Sequence, residues 1–323
     1  MKRRQFISLL VGAATWPLAA QGQQSGPIYR IAYFGPSSAA SPPQRALLKA
    51  LGDLGFVEGK NLELDTLGAG LRPGEYAQVA RQLVEANPNL IVCGGPEPAK
   101  AAQQATKSIP LLVNTDDMVG EGLVASIARP GGNITGVSIL SPDLDGKRFE
   151  ILLQLLPTAR AIGALAGTDT AKQEHFVALQ DAAQTRGIKL VIRTASTYAE
   201  IGPAIDMVKA AGAAGLNVLG SALLFGNRQV IFERTAALGL PAIYQWPENA
   251  HEGGLIGYGP SIVRIYEKQL SRMAAEILRG TNPGEIPVEQ PTNFELVINV
   301  KTAKALAIRI PQTLLATADE VVE

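Results

Sequence analysis

One cysteine and two histidines are all that 323 residues offer as soft metal ligands and imidazole bases. Cys93 has no second cysteine to pair with, so an internal disulfide is excluded and stability rests on core burial. There is no paired Cys or His at ligand spacing, no P-loop and no Gly-x-Ser-x-Gly elbow, so the usual signatures of metal, phosphoryl-transfer and serine-hydrolase chemistry are missing. His175, early in an expected helix, and His251, in an expected loop, sit among polar residues and read as surface groups. Cys93 ends an apolar run and reads as a small core residue. Neither an enzyme nor a metal or organic cofactor is expected. A surplus of charge is also lacking. Lysine plus arginine and aspartate plus glutamate both number 29, so the basic excess that neutralises phosphates is absent and nucleic acid is not expected as a partner. Aromatics make up only 5% of the chain, so those that cluster carry information.

What is there begins with a targeting pattern. Lys2, Arg3 and Arg4 precede a short apolar stretch at 7–20, and Ala20 and Gly22 supply the small residues a signal peptidase reads before Gln23. The stretch is about 14 residues, short of the roughly 20 that span a bilayer, so residues 1–22 read as a removable signal peptide. The paired arginines fit a twin-arginine (Tat) signal, and the segment also fits an ordinary Sec signal. Either route makes the protein exported and periplasmic. No cysteine stands at the cleavage point to take a lipid.

Beyond the signal, apolar runs alternate with amphipathic stretches, the mark of an α/β fold with parallel sheets. Strands are expected at 28–34, 62–67, 90–93, 110–114 and 134–139, with helices at 44–54, 75–86 and 98–107 between them. The run at 62–67 alternates apolar and polar residues and belongs near a sheet edge. The second half repeats the scheme, with helices at 147–156, 173–186, 200–211 and 228–238 and strands at 162–166, 189–194, 216–219 and 241–244. Gly187 stands where a left-handed helix cap is wanted. Two such halves predict two open sheets facing each other across a cleft, the alternative being one larger doubly wound sheet.

Ligands of open parallel sheets bind at the carboxyl ends of the strands. In the first half those places hold Ser37 and Ser38, Gly94 and Gly95, and the cluster Asn114, Thr115, Asp116 and Asp117, of which Asp117 is the candidate partner for a ligand amine. In the second half they hold Thr168, Thr170, Ser221, Tyr244, Trp246 and Tyr258. Aromatic walls with a few polar groups describe a small-molecule pocket. Each residue also has a plain structural role open to it: Ser37, Ser38 and Thr170 as helix caps, Trp246 as packing under a loop.

The stretches LGFVEGKN (54–61), GLVASIARPGGNITG (122–136), GKRFE (146–150), LPAIYQW (240–246), EGGLIGYGP (252–260) and PVEQPTNFELVIN (287–299) together resemble the ABC-transporter substrate-binding proteins of the tryptophan/tyrosine-binding type. That resemblance implies a type I periplasmic-binding fold of two Rossmann-like lobes joined by crossover strands that act as hinges. Lobe 1 would comprise 28–139 with 260–290, and lobe 2 would comprise 140–259 with 291–323. Crossovers are expected near Ile139 and Leu140, near Tyr258 to Pro260, and after Pro287. The amphipathic stretch 262–278 would return to lobe 1. The implied function is capture of a small molecule, an aromatic or branched amino acid or a related carboxylate, by a monomer that delivers it to the membrane permease of an ABC importer. The alternative is the ligand-sensing input module of a receptor or regulator, although no helix-turn-helix or membrane helix accompanies it. The resemblance breaks in the pocket. The family commonly has Ser or Thr after the third-strand glycine, where a ligand carboxylate is held, and here Gly95, Pro96 and Glu97 follow Gly94. The family's Gly-Asp-Pro-Val is here Asp116, Asp117, Met118 and Val119.

Overall fold

The computed structural model describes residues 27–72, 74–139, 141–168 and 173–323. The expected signal peptide (1–22), Leu140 and Thr170 lie outside them. The first sheet is built from β1 (Tyr29–Gly35), β2 (Leu62–Ala69), β3 (Leu90–Gly94), β4 (Leu111–Thr115) and β5 (Ile134–Ser138), all parallel, in the order β2-β1-β3-β4-β5. The second holds β6 (Ala161–Gly167), β7 (Lys189–Ala195), β8 (Leu216–Val218), β9 (Ala242–Tyr244), β10 (Ile256–Gly259), β11 (Glu295–Asn299) and β12 (Glu320–Val322). Its order is β12-β11-β10-β9-β8-β6-β7, parallel except where β10 meets β11. The segment β7-β6-β8-β9-β10 thus repeats the order of the first sheet, which places the local similarity of the two halves on equivalent strands. These are two separate sheets, not one.

The apolar runs are buried on both faces, as the central strands of a helix-covered parallel sheet require. Along β1 the period of two sends Ile31 and Tyr33 into one core and Ala32 and Phe34 into the other. The second sheet divides in the same way, with Ile162 and Ala164 on one side and Leu165 on the other. β2, as its alternation predicts, is an edge strand with a mixed burial pattern. Gly187 ends its helix at φ 63°, the left-handed cap expected of it.

The chain passes between the sheets three times. After β5, helix Ser141–Leu155 packs on the second sheet, where Phe149, Leu152 and Leu155 join its core. After β10 the chain returns, and Ile265, Leu270, Met273, Ala274 and Ile277 bury against Ile31, Leu90 and Val92 of the first sheet. Glu289 then bridges to Val137 of β5, and by β11 the chain is back in the second sheet. Several elements differ from expectation, among them helix Ser141–Leu155, expected to start only at 147, and helix Pro42–Asp53, expected to start at 44. Glu248–His251 is a short helix rather than a loop, and His251 is an exposed residue that meets Glu320 at 3.3 Å. Helix Pro96–Ala105 begins two residues early, because proline fits a first helical turn that has no use for its N–H. Within the returning stretch, Ile265–Leu270 forms a π-helix, a local widening that is often found at functional sites.

Candidate functional site

In a doubly wound sheet the loops leave in opposite directions on either side of the switch point, which opens a crevice there. The switch lies between β1 and β3, where Gly35 and Gly94 end their strands, and a cavity of about 60 Å³ sits over it. Lobe 1 contributes Tyr33, Pro36, Ser37, Gly94, Gly95, Pro96, Asn114, Thr115 and Asp116 to its wall. Lobe 2 contributes Ser221, Ala222, Phe225, Gln245 and Trp246. Gln44, from helix Pro42–Asp53, and Tyr266, from the π-helix, complete it, and Ile139 and Ile262 line it beside the first two crossings. The cavity adjoins a wider groove of about 690 Å³ that includes Arg72, Tyr76, Glu97, Thr168 and Tyr198.

The floor is held by two tyrosines. A Cβ on Gly94 would lie 2.7 Å from Tyr33 Oη, so only glycine lets that ring lie across the strand end. Tyr33 hydrogen-bonds Ser37 and Tyr266, and burial pushes its phenol up to about 12. Burial also raises Tyr266 well above the usual phenol range. Both rings therefore stay neutral at any physiological pH. On the opposite wall Trp246 meets Phe225 edge to face, with centroids 6.1 Å apart.

The lobes touch across this cavity. Gln245 Nε2 donates to Asp116 Oδ1 at 3.3 Å, and a Cβ on Gly95 would approach that of Ala222 to 2.9 Å. Behind Asp116 the Thr115 hydroxyl donates to Glu121 at 2.8 Å, and the Asp117 N–H does so at 3.3 Å. Burial dominates there, with the Asp116 charge assisting, and raises the Glu121 carboxyl to about 7. Asn114 Oδ1 and Gln44 Oε1 are buried on the wall without a hydrogen-bond partner. Among the described residues no group of three or more His, Cys, Asp or Glu is placed to hold a metal.

The residues singled out from sequence divide. Ser37, Gly94, Gly95, Asn114, Ser221 and Trp246 come together on the cavity wall. Ser38 lies in an adjoining groove, its Oγ accepting from Ala40 N, and Thr168 is exposed on the wider groove. Asp117 turns away, because its carboxylate caps the next turn by accepting from Gly120 N at 2.9 Å, and the inward place belongs to Asp116. Tyr244 lies behind the wall, packed edge to face on Phe232 and hydrogen-bonded to Thr235. Tyr258 packs against the second core from β10. Thr170 is outside the described residues. Sequence reasoning missed Gln44, Tyr33, Phe225 and Tyr266. Only Gln44 has a local signal, an amide in the first turn of a helix that follows a strand end.

Three comparisons bear on this geometry. Residues 39–322 match the model of a family described as ABC transporter substrate binding protein. The tyrosine-binding protein of Clostridioides difficile is 29% identical over 266 residues, covering 81% of this chain and 76% of its own. A conserved domain protein from Vibrio cholerae, known as a crystal structure, superposes with a TM-score of 0.80 at 29% identity, over 91% of this chain and 99% of the other. The ABC domain from Streptococcus pneumonia in complex with L-Trp superposes at 0.79 with 21% identity, over 92% and 99%, and so speaks for the fold alone.

Proposed function

Because this chain belongs to the ABC transporter substrate-binding protein family, we propose that it captures a small molecule between its lobes, closes on it, and presents the closed form to the membrane permease of an importer. The observation that carries this reading is the cavity whose wall is drawn from strand ends of both sheets and crossed by the Asp116–Gln245 bond. A ligand that touches both walls stabilises the closed arrangement over the open one, which is what couples binding to hinge motion. Residues 28–139 with 260–290, and 140–259 with 291–323, would be the moving bodies. The amino-terminal pattern supports export to the periplasm, and no helix among the described residues is long and apolar enough to cross a membrane. An aromatic or branched amino acid is a reasonable first ligand to try, since relatives bind tyrosine and L-Trp. We propose Ser37, Gly95, Asn114, Asp116, Ser221, Gln245 and Trp246 as contacts.

Closure supplies the test. Ala222 faces Gly95 across the gap, so Ala222→Trp places a wedge between the lobes without straining its backbone. A small-molecule filtrate of cell extract is expected to raise the melting temperature of the natural protein and to leave Ala222→Trp unmoved. A ligand at a hundred times its Kd stabilises by about 2.7 kcal/mol. A filtrate that stabilises neither protein, or both equally, would count against capture by closure.

A further inference from the structure

The cavity is too small to be the whole binding site. Its volume of about 60 Å³ falls well short of the roughly 300–1,000 Å³ usual for a small-molecule pocket. Parting the lobes to admit a larger solute there would break the Asp116–Gln245 bond and the close approach of Gly95 and Ala222. The groove outside it measures about 690 Å³ and shares Pro36, Pro96 and Ala222 with the cavity wall, so the two are continuous. The groove follows from the repeated topology. β2 flanks β1 in the first sheet as β7 flanks β6 in the second. Gly70 to Arg72 follow β2 and Ser196 to Ala199 follow β7, so carboxyl-end loops of both lobes line it.

Most of the polar side chains along the groove are already occupied. The Ser196 and Thr197 hydroxyls donate to Glu200, Asn227 Nδ2 donates to the Leu223 carbonyl at 2.8 Å, and Tyr76 Oη donates to the Leu71 carbonyl at 3.5 Å. Arg72, Glu97 and Thr168 are solvent-exposed, and the two charges are of opposite sign. What the groove offers a solute is therefore mainly apolar: Pro96, Leu71, Leu223 and the ring of Tyr198, which is 61% exposed. The inner end differs. Asn114 and Gln44 bury their amide oxygens in the wall, which leaves their amide N–H groups and the Trp246 indole N–H as unbonded donors on the cavity. Such donors are matched by oxygen acceptors.

We propose that the captured solute is elongated and amphipathic, longer than a free amino acid. A carbonyl or carboxylate head meets the Asn114, Gln44 and Trp246 donors, and an acyl or aryl tail runs outward past Ala222 along Leu71, Leu223 and Tyr198. An apolar wall with a few polar groups at one end is the chemistry such a molecule needs. The assignment rests on the capture reading and narrows its ligand.

Native mass spectrometry of the purified protein, after incubation with the small-molecule filtrate, weighs the occupant. The captured compound is expected to be heavier than tryptophan and, once released, to be retained longer than tryptophan on a reversed-phase column. Two groove variants then bind that compound in a calorimeter. Ala199→Trp fills the groove from an exposed position in the first turn of helix Tyr198–Ala210, outside the cavity wall. It is expected to melt as the natural protein does without filtrate and to bind about tenfold more weakly or worse. Tyr198→Ala removes an exposed ring without adding bulk, and is expected to weaken binding about threefold or more. A compound no heavier than tryptophan, one retained less than tryptophan, or one that both variants bind as well as the natural protein does overturns the groove assignment and leaves capture standing. If the filtrate adds no mass and stabilises nothing, both readings fall together.

Discussion

Arg148→Met is expected to lower unfolding stability by about 3–5 kcal/mol, the cost of leaving a buried charge without its partner. Arg148 is fully buried, and its guanidinium donates to Asp145 at 2.5 Å and to the Tyr258 carbonyl at 3.1 Å. Asp145 is 1% exposed, and its own carbonyl accepts from Asn217. The cluster lies where the chain has just entered lobe 2 and is about to leave it, since helix Ser141–Leu155 follows the first crossing and Tyr258 precedes the second. Removing the cation therefore strands a carboxylate in the core and takes a donor from the Tyr258 carbonyl at once. The double variant Asp145→Leu/Arg148→Met removes both charges, and it is expected to recover most of the loss, because two uncharged side chains carry no desolvation penalty. Urea titration of the three proteins measures this. A single variant within about 1 kcal/mol of the natural protein would show that the pair contributes little.

Acid is expected to stabilise the protein through Glu121. Its carboxyl titrates near 7 when folded and near 4.5 when unfolded, chiefly because it is buried, with Asp116 beside it and the Lys100 charge working the other way. The folded state therefore binds the proton more tightly. The stabilisation is complete below about 4.5 and is lost as the pH rises through about 7. Each tenfold gain in proton affinity on folding is worth about 1.4 kcal/mol, so stability at about pH 4.5 exceeds that at about pH 8 by on the order of 3 kcal/mol. Burial also raises Glu248, in the same direction, so the natural protein alone does not isolate the effect. Glu121→Gln does. Its stability is expected to vary less over this range than that of the natural protein, as measured by denaturant midpoints at each pH. Parallel pH profiles for the two would remove Glu121 as the cause.

Much of this molecule was legible before any coordinates. The expected strands at 90–93 and 110–114 fall within a residue of β3 and β4, because a run of Leu, Ile and Val buried on both faces leaves the chain no other arrangement. The expected return of 262–278 also holds, its buried face including each of Ile265, Leu270, Met273, Ala274 and Ile277. The site was legible only by address. The loops after β1, β3, β4, β8 and β9 all reach the cavity, yet after β4 it is Asp116 rather than Asp117 that faces inward. Neighbouring residues of like chemistry cannot be told apart by pattern once the chain leaves a strand, since no period governs which way a loop residue points.

The alternation of strand and helix, the doubling of the scheme and the strand ends that carry polar groups follow from the order of residues, because periods of 2 and 3.6 are local consequences of burying one side of a strand or helix. The cavity wall is another matter. Tyr33 and Gln44 are far along the chain from Gln245 and Tyr266, and the Tyr33–Tyr266 contact exists only because a π-helix docks on the first sheet after the chain has left and returned. Which side chains meet there was decided by the packing of the two sheets, since a cavity is a property of surfaces brought together and not of any one segment.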